Sequence, residues 1–226
     1  GALPWLLSLI GDASRALVVN DCKDGEIAAQ CADMCHRYGR KVAIVDDFNV
    51  LGDDNPYKAS INPFGGLIAA HEASNGDLIF AGENANHALI SEPADGDEKN
   101  LFFRDRPRAI QEYVQNSLLS RNASLATPGG VWSLISDPEL LLKAARVDEE
   151  EGDEELAALA RDVLDMSTQE QWGMHRSSAL RALRIYSSGS PLHLAGINTT
   201  VTHSQLLREK YVVCIVGPQR HMSRLG

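Results

Sequence analysis

The sequence lacks the short motifs that identify several large enzyme classes. No Gly-x-x-x-x-Gly-Lys-Ser/Thr loop is present, so the chain does not supply the backbone amides and lysine with which that loop holds nucleotide phosphates. No Gly-x-Gly-x-x-Gly follows the first predicted strand, which argues against a dinucleotide-dependent dehydrogenase. Gly-x-Ser-x-Gly and His-Glu-x-x-His are also missing. The sequence therefore has neither a serine-hydrolase elbow nor a zinc-protease motif.

Cysteine is scarce, and no apolar run is long. The 4 cysteines have no Cys-x-x-Cys spacing, which argues against a disulfide framework and a metal site and favours a reducing cytoplasm. Cys31 and Cys35 lie one helical turn apart and are expected to pack as small apolar residues. The apolar start, residues 1–10, is too short to span a bilayer and does not resemble a signal peptide. Because the chain does not begin with Met, we expect it to be part of a longer protein.

Charge is unevenly distributed along the chain. The formal net charge of -10 argues against binding of polyanions through bulk charge. Residues 137–170 are strongly acidic, whereas residues 171–226 carry an excess of arginine and lysine. Two interpretations remain open: solvated faces of alternating sign, or a basic surface that meets nucleic acid.

Both ends of the chain have α/β patterns. Residues 16–20 and 41–46 are apolar runs of strand length, and residues 26–38 between them have a helical pattern that ends at Gly39. Two buried strands joined by a helix predict a parallel sheet. Asp21, Lys23 and Asp46 then lie at the carboxyl ends of strands, where α/β proteins place ligands.

The middle of the chain has a helical pattern, and a strand pattern returns at residues 211–216. We therefore predict three segments: 1–66 as the first part of an α/β domain, 67–194 as an inserted all-helical domain, and 195–226 as the return to the α/β domain. Asp137 followed by Pro138 predicts a helix start. The acidic run 148–155 is expected to form a solvated hinge or loop, and the polar stretch 91–100 a loop. The predicted helices cover residues 67–73, 85–90, 101–122, 140–146, 154–166 and 168–187.

One stretch resembles a known family. Asp21-Cys-Lys-Asp-Gly-Glu26 is similar to the Asp-Pro-Lys-Gly-Glu signature of the TraG/TraD-type coupling proteins of conjugation and type IV secretion. As in that family, the stretch follows an apolar strand and precedes a helix, a second strand ending at Asp46, and the pair Asn62-Pro63. Cys22 stands where the family has proline, and Asp24 is a one-residue insertion.

The resemblance implies a partial RecA-like P-loop NTPase core of parallel-sheet α/β class, interrupted by an all-helical domain. It also implies a hexameric motor ATPase that uses ATP and Mg²⁺ and delivers substrates to the secretion channel. The implied partners are single-stranded DNA, relaxosome or effector proteins, and channel components. The implied location is the cytoplasmic side of the bacterial inner membrane, with an anchor outside this chain. Without a phosphate-binding loop, the chain alone is expected to be inactive.

Asp21, Lys23 and Glu26 are the candidate nucleotide-binding residues. A lysine at the carboxyl end of a strand can reach a phosphate, and neighbouring carboxylates can hold a magnesium-bound water. The alternative is a structural turn in which Asp21 accepts backbone N–H groups and Glu26 favours the positive end of its helix. Val42–Asp47 superficially resembles a magnesium-holding strand, but a strand end with a solvated pair of aspartates is the more ordinary interpretation.

Arg176, Arg181 and Arg184 are the candidate DNA-binding residues. Together with Trp172 they combine cations and an aromatic ring on one predicted helix, which suits phosphate contacts and base stacking with single-stranded nucleic acid. The alternative is a set of exposed cations above an apolar stripe of Leu180, Leu183 and Tyr186.

Two other functions remain open. One is a non-catalytic α/β module that recognises a protein partner, and the other is a small nucleotide-binding enzyme with a different phosphate site near Lys23.

Overall fold

The computed structural model describes residues 3–73, 78–90 and 101–218. Within these residues the chain forms four strands and ten α-helices, with three short 3₁₀ turns at Ala123–Leu125, Arg184–Tyr186 and Pro191–Leu194. The strands are β1 (Leu17–Asp21), β2 (Val42–Val45), β3 (Lys58–Ala59) and β4 (Val212–Val216). The helices are α1 (Leu3–Gly11), α2 (Glu26–Arg37), α3 (Gly65–Ala73), α4 (Leu78–Leu89), α5 (Leu101–Arg121), α6 (Pro128–Ser136), α7 (Pro138–Glu151), α8 (Glu154–Ser167), α9 (Trp172–Ala182) and α10 (His203–Arg208).

The chain divides into two compact units. The sheet unit comprises Gly1–Asn62 together with Asn198–Gly226, and the helical unit comprises Pro63–Ile197. The sequence pattern places the corresponding transitions at residues 66 and 194.

The sheet is entirely parallel, and its strand order is β1-β4-β2-β3. The prediction of an α/β chain with a parallel sheet is therefore confirmed. The predicted β1–α2–β2 unit is present, but β1 and β2 do not pair with each other. Both pair with β4, so that Cys214 lies opposite Val19 on one side and Ile44 on the other. Among the described strands, the last in sequence therefore lies between the first two.

The two faces of the sheet are covered unequally. On the first face, Leu6 and Ile10 of α1 and Cys31 and Cys35 of α2 pack against the strands. On the second face, Leu206 of α10 covers Ala43, Val45 and Val213.

Part of the second face remains exposed. Val18 of β1 is 60% exposed, and Ile215 of the central strand β4 is 44% exposed. Parallel sheets are normally buried on both faces, because helices cover each side. No described residue of the sheet unit covers this part of the sheet, and β1 is one of the two edge strands among the described residues.

The helical unit is built around α5. Ile110, Tyr113 and Val114 are fully buried in a core to which the other helices of the unit contribute. Asp137 caps α7 by accepting hydrogen bonds from the amides of Glu139 and Leu140, so the predicted helix start is confirmed.

Two predictions for this unit are wrong. The acidic run 148–155 is not a loop: α7 continues to Glu151, and Asp153 caps α8 after a single intervening glycine. Asp148 is buried rather than solvated, because it bonds Tyr113 and Arg121. The predicted helix 168–187 is shorter than expected, since α9 ends at Ala182 and a 3₁₀ turn follows. The predicted loop at 91–100 lies outside the described residues.

Candidate functional site

The carboxyl edge of the sheet holds two buried aspartates. Asp21 is the last residue of β1, and Asp46 directly follows β2. Only 1% of Asp21 and 3% of Asp46 is exposed. A buried carboxylate needs hydrogen-bond donors, so the partners of these two side chains define the site.

Asp21 organises the turn that leads into α2. Its Oδ1 accepts a hydrogen bond from the Lys23 amide at 2.8 Å, and its Oδ2 accepts one from the Ala28 amide at 2.8 Å. These donors belong to the turn and to the first turn of α2, where amides have no intrahelical partner. Asp21 therefore makes the backbone hydrogen bonds expected of a structural turn, and its carboxylate is buried beneath the surface.

Asp46 plays the same part in the loop that follows β2. Its Oδ1 accepts from the Val50 amide at 2.9 Å and its Oδ2 from the Leu51 amide at 2.7 Å. The expectation of a solvated pair is therefore wrong for Asp46, because its own loop folds over the carboxylate. Asp47 is partly buried, and burial together with the charge of Asp46 raises the pKa of Asp47.

Lys23 and Glu26 are exposed on the turn that Asp21 holds. The Glu26 amide donates to the Lys23 carbonyl at 3.2 Å, and Glu26 begins α2. Between them, Asp24 has a φ of 53° and Gly25 a φ of 86°, two consecutive left-handed residues. The three predicted nucleotide-binding residues thus lie on one turn, with Lys23 and Glu26 at its surface and Asp21 below.

The cysteines divide between core and surface. Cys31 and Cys35 are fully buried in the core beneath the sheet, as the helical spacing predicted, and Cys214 lies in the same core. Burial raises the pKa of Cys35 to about 11. The contact with Cys31, and then burial, raises the pKa of Cys214. Raised thiol pKa values make Cys35 and Cys214 packing groups rather than nucleophiles. Cys22 is exposed beside Lys23.

The three predicted DNA-binding arginines have different environments. Arg176 Nη1 donates to the carbonyl oxygens of Ile135 and Ser136 at 3.0 and 3.2 Å, at the end of α6. Arg181 lies on α9 and Arg184 on the 3₁₀ turn after it, and both are exposed. Because α9 ends between them, Arg181 and Arg184 do not share a continuous helix face.

The apolar stripe beneath these arginines is present. Leu183 is fully buried, and Leu180, Tyr186 and Trp172 pack against the core of the helical unit. Trp172 is thus partly committed to packing.

The sequence interpretation missed the role of Arg40. Its guanidinium donates to five backbone carbonyl oxygens, those of Leu9, Ile10, Asp12, Arg15 and Lys210. Gly39 signalled the end of α2, but nothing in the pattern links the next residue to carbonyls 25 to 170 positions away.

Comparisons of the chain with family models, with curated proteins and with solved structures found no match in any of the three. Among residues 3–73, 78–90 and 101–218, no cluster of three or more histidine, cysteine, aspartate or glutamate side chains could hold a metal ion. In the same residues, no helix has the length and apolar character needed to cross a membrane.

Proposed function

We propose that this chain is the central part of a coupling-type motor ATPase that delivers DNA or protein substrates to a type IV secretion channel. One observation carries the proposal. Lys23 and Glu26 are exposed at the carboxyl end of a parallel strand, on a turn that the buried carboxylate of Asp21 fixes. This is the position at which α/β proteins bind ligands. The resemblance of residues 21–26 to the coupling-protein signature falls on this turn.

The exposed part of the sheet supports the same proposal. Val18 and Ile215 are apolar and open to solvent, although parallel sheets bury both faces. A larger RecA-like P-loop core, of which this sheet is one part, would cover them. The phosphate-binding loop and the magnesium-holding strand would then come from other parts of that core.

In this proposal the site binds ATP with Mg²⁺, and six copies assemble into a ring at the cytoplasmic side of the bacterial inner membrane. Lys23 would contact a phosphate, and Glu26 would lie close to the magnesium-bound water. The helical unit would meet single-stranded DNA or relaxosome and effector proteins, with Arg181 and Arg184 as the exposed cations.

Equilibrium binding of Mg-ATP to the full-length protein tests this proposal. We expect Lys23→Ala to weaken binding about ten-fold, because a lost charge-assisted hydrogen bond to phosphate is worth about 1.5 kcal/mol. Lys143→Ala is the matched control, since Lys143 is an exposed lysine on α7. Wild-type affinity in Lys23→Ala would overturn the assignment of this turn to the nucleotide.

The coding region on either side of this segment offers an independent test. We expect a phosphate-binding loop upstream and an apolar strand ending in Asp-Glu downstream. A start codon directly before Gly1 and a stop codon directly after Gly226 would overturn the motor proposal for this chain.

The exposed apolar residues Val18 and Ile215 also favour a second candidate, a non-catalytic module that binds a protein partner. Thermal unfolding of the full-length protein with and without Mg-ATP separates the two. An increase in Tm that disappears in Lys23→Ala supports nucleotide binding, whereas an unchanged Tm supports the binding module.

A further inference from the structure

The two loops at the carboxyl edge of the sheet touch through Gly25 and Leu51. A methyl group on Gly25 would lie 2.4 Å from Leu51 Cδ2, well inside van der Waals distance. The Leu51 side chain therefore rests directly on the backbone of the turn that carries Lys23. Only glycine allows this approach, and its φ of 86° also favours glycine.

Asp46 fixes the position of Leu51. The Leu51 amide donates to Asp46 Oδ2 at 2.7 Å, and the neighbouring Val50 amide donates to Oδ1 at 2.9 Å. Asp46 itself is buried at the end of β2. Leu51 is thus attached to the sheet through its own backbone, and its side chain reaches across to the other loop.

Both backbone polar groups of Lys23 are hydrogen-bonded within the turn. The Lys23 amide is bonded to Asp21, and the Lys23 carbonyl accepts from Glu26. Asp24 keeps a left-handed φ of 53°, a conformation that non-glycine residues rarely adopt. Such strain persists where the surroundings over-determine the backbone, and it is concentrated at functional sites.

We infer that Leu51, anchored by Asp46, is a positioning residue that holds the Lys23 turn in the conformation that binds phosphate. This inference rests on the proposed function. Leu51 touches no ligand in this arrangement. It occupies the space beside the Gly25 backbone, so the turn keeps its conformation before a phosphate arrives. Binding then does not have to order the turn, which preserves affinity.

Two measurements on the full-length protein test the inference: the Kd for Mg-ATP, and amide hydrogen exchange at Lys23 and Ala28. We expect Leu51→Ala to weaken Mg-ATP binding about three- to ten-fold, because the turn must then be ordered on binding. Exchange at both amides should become faster. Leu6→Ala is the matched control, since Leu6 is a buried leucine of the same core on α1. It should lower the Tm and leave the Kd and both exchange rates unchanged.

A double-variant cycle separates positioning from general destabilisation. Gly25→Ala should weaken Mg-ATP binding in the wild-type background, where the new methyl group collides with Leu51. The same substitution should cost less affinity in Leu51→Ala, where that space is empty.

The outcomes distinguish this inference from the proposed function. Normal binding by Leu51→Ala, alongside lost binding by Lys23→Ala, would overturn the positioning role and leave the proposed function intact. Equal losses in Leu51→Ala and Leu6→Ala would also overturn it. Absence of Mg-ATP binding by the wild-type protein would overturn the proposed function and this inference with it.

Discussion

Arg40 Nη1 lies 3.0 Å from the carbonyl oxygen of Ile10, at the end of α1. The same guanidinium reaches the carbonyl of Asp12 at 2.9 Å and that of Lys210, just before β4, at 2.6 Å. One side chain therefore joins the end of α1, the approach to β1 and the approach to β4. Carbonyls at the ends of helices lack intrahelical partners, and a planar group with several donors can satisfy several of them together.

We expect Arg40→Ala to lower the free energy of unfolding by about 3 kcal/mol, because several partly buried carbonyls lose a charged donor at once. Arg40→Lys should recover less than half, since one ammonium cannot span the same carbonyls. Urea denaturation of the three proteins measures both effects. Arg37→Ala is the control: Arg37 makes an exposed helical pair with Asp33, which is worth about 0.5 kcal/mol or less. Equal losses in the Arg37 and Arg40 variants would contradict this role.

Asp148 is the buried partner of two residues on α5. Its carboxylate lies 2.7 Å from Arg121 Nη2 and 2.8 Å from the Tyr113 hydroxyl, which donates to it. We expect Asp148→Ala to cost about 2 to 3 kcal/mol in unfolding free energy, because the buried Tyr113 hydroxyl and the Arg121 guanidinium both lose their charged hydrogen-bond partner. Tyr113→Phe should cost about 1 kcal/mol.

Glu149→Ala is the matched control for that prediction. Glu149 is the next residue on α7 and pairs with Arg161 at 3.3 Å across a largely exposed surface. Its loss should cost less than about 1 kcal/mol. Thermal or urea unfolding compares the variants, and similar losses at residues 148 and 149 would contradict the buried-pair interpretation.

Asp148 also shows where sequence reasoning stops. The acidic run 148–155 predicts like-charge repulsion and solvated side chains, and its exposed acids are solvated as predicted. One acid per helical turn can still face inward if a distant residue supplies a cation. Arg121 lies 27 positions away, and no periodicity within the run points to it.

Local signals succeeded elsewhere. Asp137 before Pro138 predicted a capped helix, and Gly39 predicted the left-handed end of α2, with an observed φ of 65°. The strand at residues 211–216 was predicted, but its place between β1 and β2 was not, because strand order depends on long-range packing.

At the candidate site, the strand ends placed Asp21, Lys23 and Asp46 at one edge. The roles of Gly25 and Leu51 depend on a contact between two loops, so the sequence around each residue does not predict them.

Gly129 and Gly173 are both in the first turns of helices but differ in their surroundings. A methyl group on Gly129 would lie 2.0 Å from the carbonyl oxygen of His193, whereas one on Gly173 would meet nothing within 4 Å. We expect Gly129→Ala to destabilise the chain by about 2 kcal/mol or more through overpacking. Gly173→Ala should stabilise it by up to about 0.5 kcal/mol through helix propensity. Differential scanning calorimetry of both variants checks the sign of each change, and a loss at Gly173 equal to that at Gly129 would contradict it.

Asp47 should make stability depend on pH. Burial, and then the charge of Asp46, raises the pKa of Asp47 above its ordinary value of 3.8. The folded state therefore holds this proton more tightly than the unfolded state. The stabilisation from Asp47 is fully present at a pH below its pKa in the unfolded state. It is lost as the pH rises through its pKa in the folded state. Relative to the wild type, Asp47→Asn should become more stable as the pH rises from about 4 to 7.

Asp53 provides a control of opposite sign. The hydrogen bond from Lys58, with its charge, lowers the pKa of Asp53. Its stabilisation is present above the unfolded pKa and is lost as the pH falls through the folded pKa. Asp53→Asn should therefore become less stable relative to the wild type as the pH rises. Urea denaturation across the pH range measures both differences, and parallel trends for the two variants would contradict the assignment.

The exposed arginines are the last candidates to test, and their environments make the prediction specific. Arg181 and Arg184 are free to meet phosphates at the surface, whereas Arg176 is bonded to the end of α6. We expect Arg181→Glu with Arg184→Glu to weaken binding of single-stranded DNA by the full-length protein about ten-fold or more. The magnitude of the slope of log K against log salt should decrease by about 1.4, since each arginine–phosphate contact on a single strand releases about 0.7 counterion.

Two further variants make that result interpretable. Lys143→Glu reverses one charge on the exposed face of α7, half the charge change of the double variant, and should leave DNA binding unchanged. Arg176→Ala should lower the Tm, because the carbonyls of Ile135 and Ser136 lose their donor, and should leave the salt slope unchanged. A salt slope that falls in Arg176→Ala but not in the double variant would move the DNA contact from the 3₁₀ turn to the end of α6. Unchanged DNA binding in both would remove this part of the helical unit from the nucleic-acid interface.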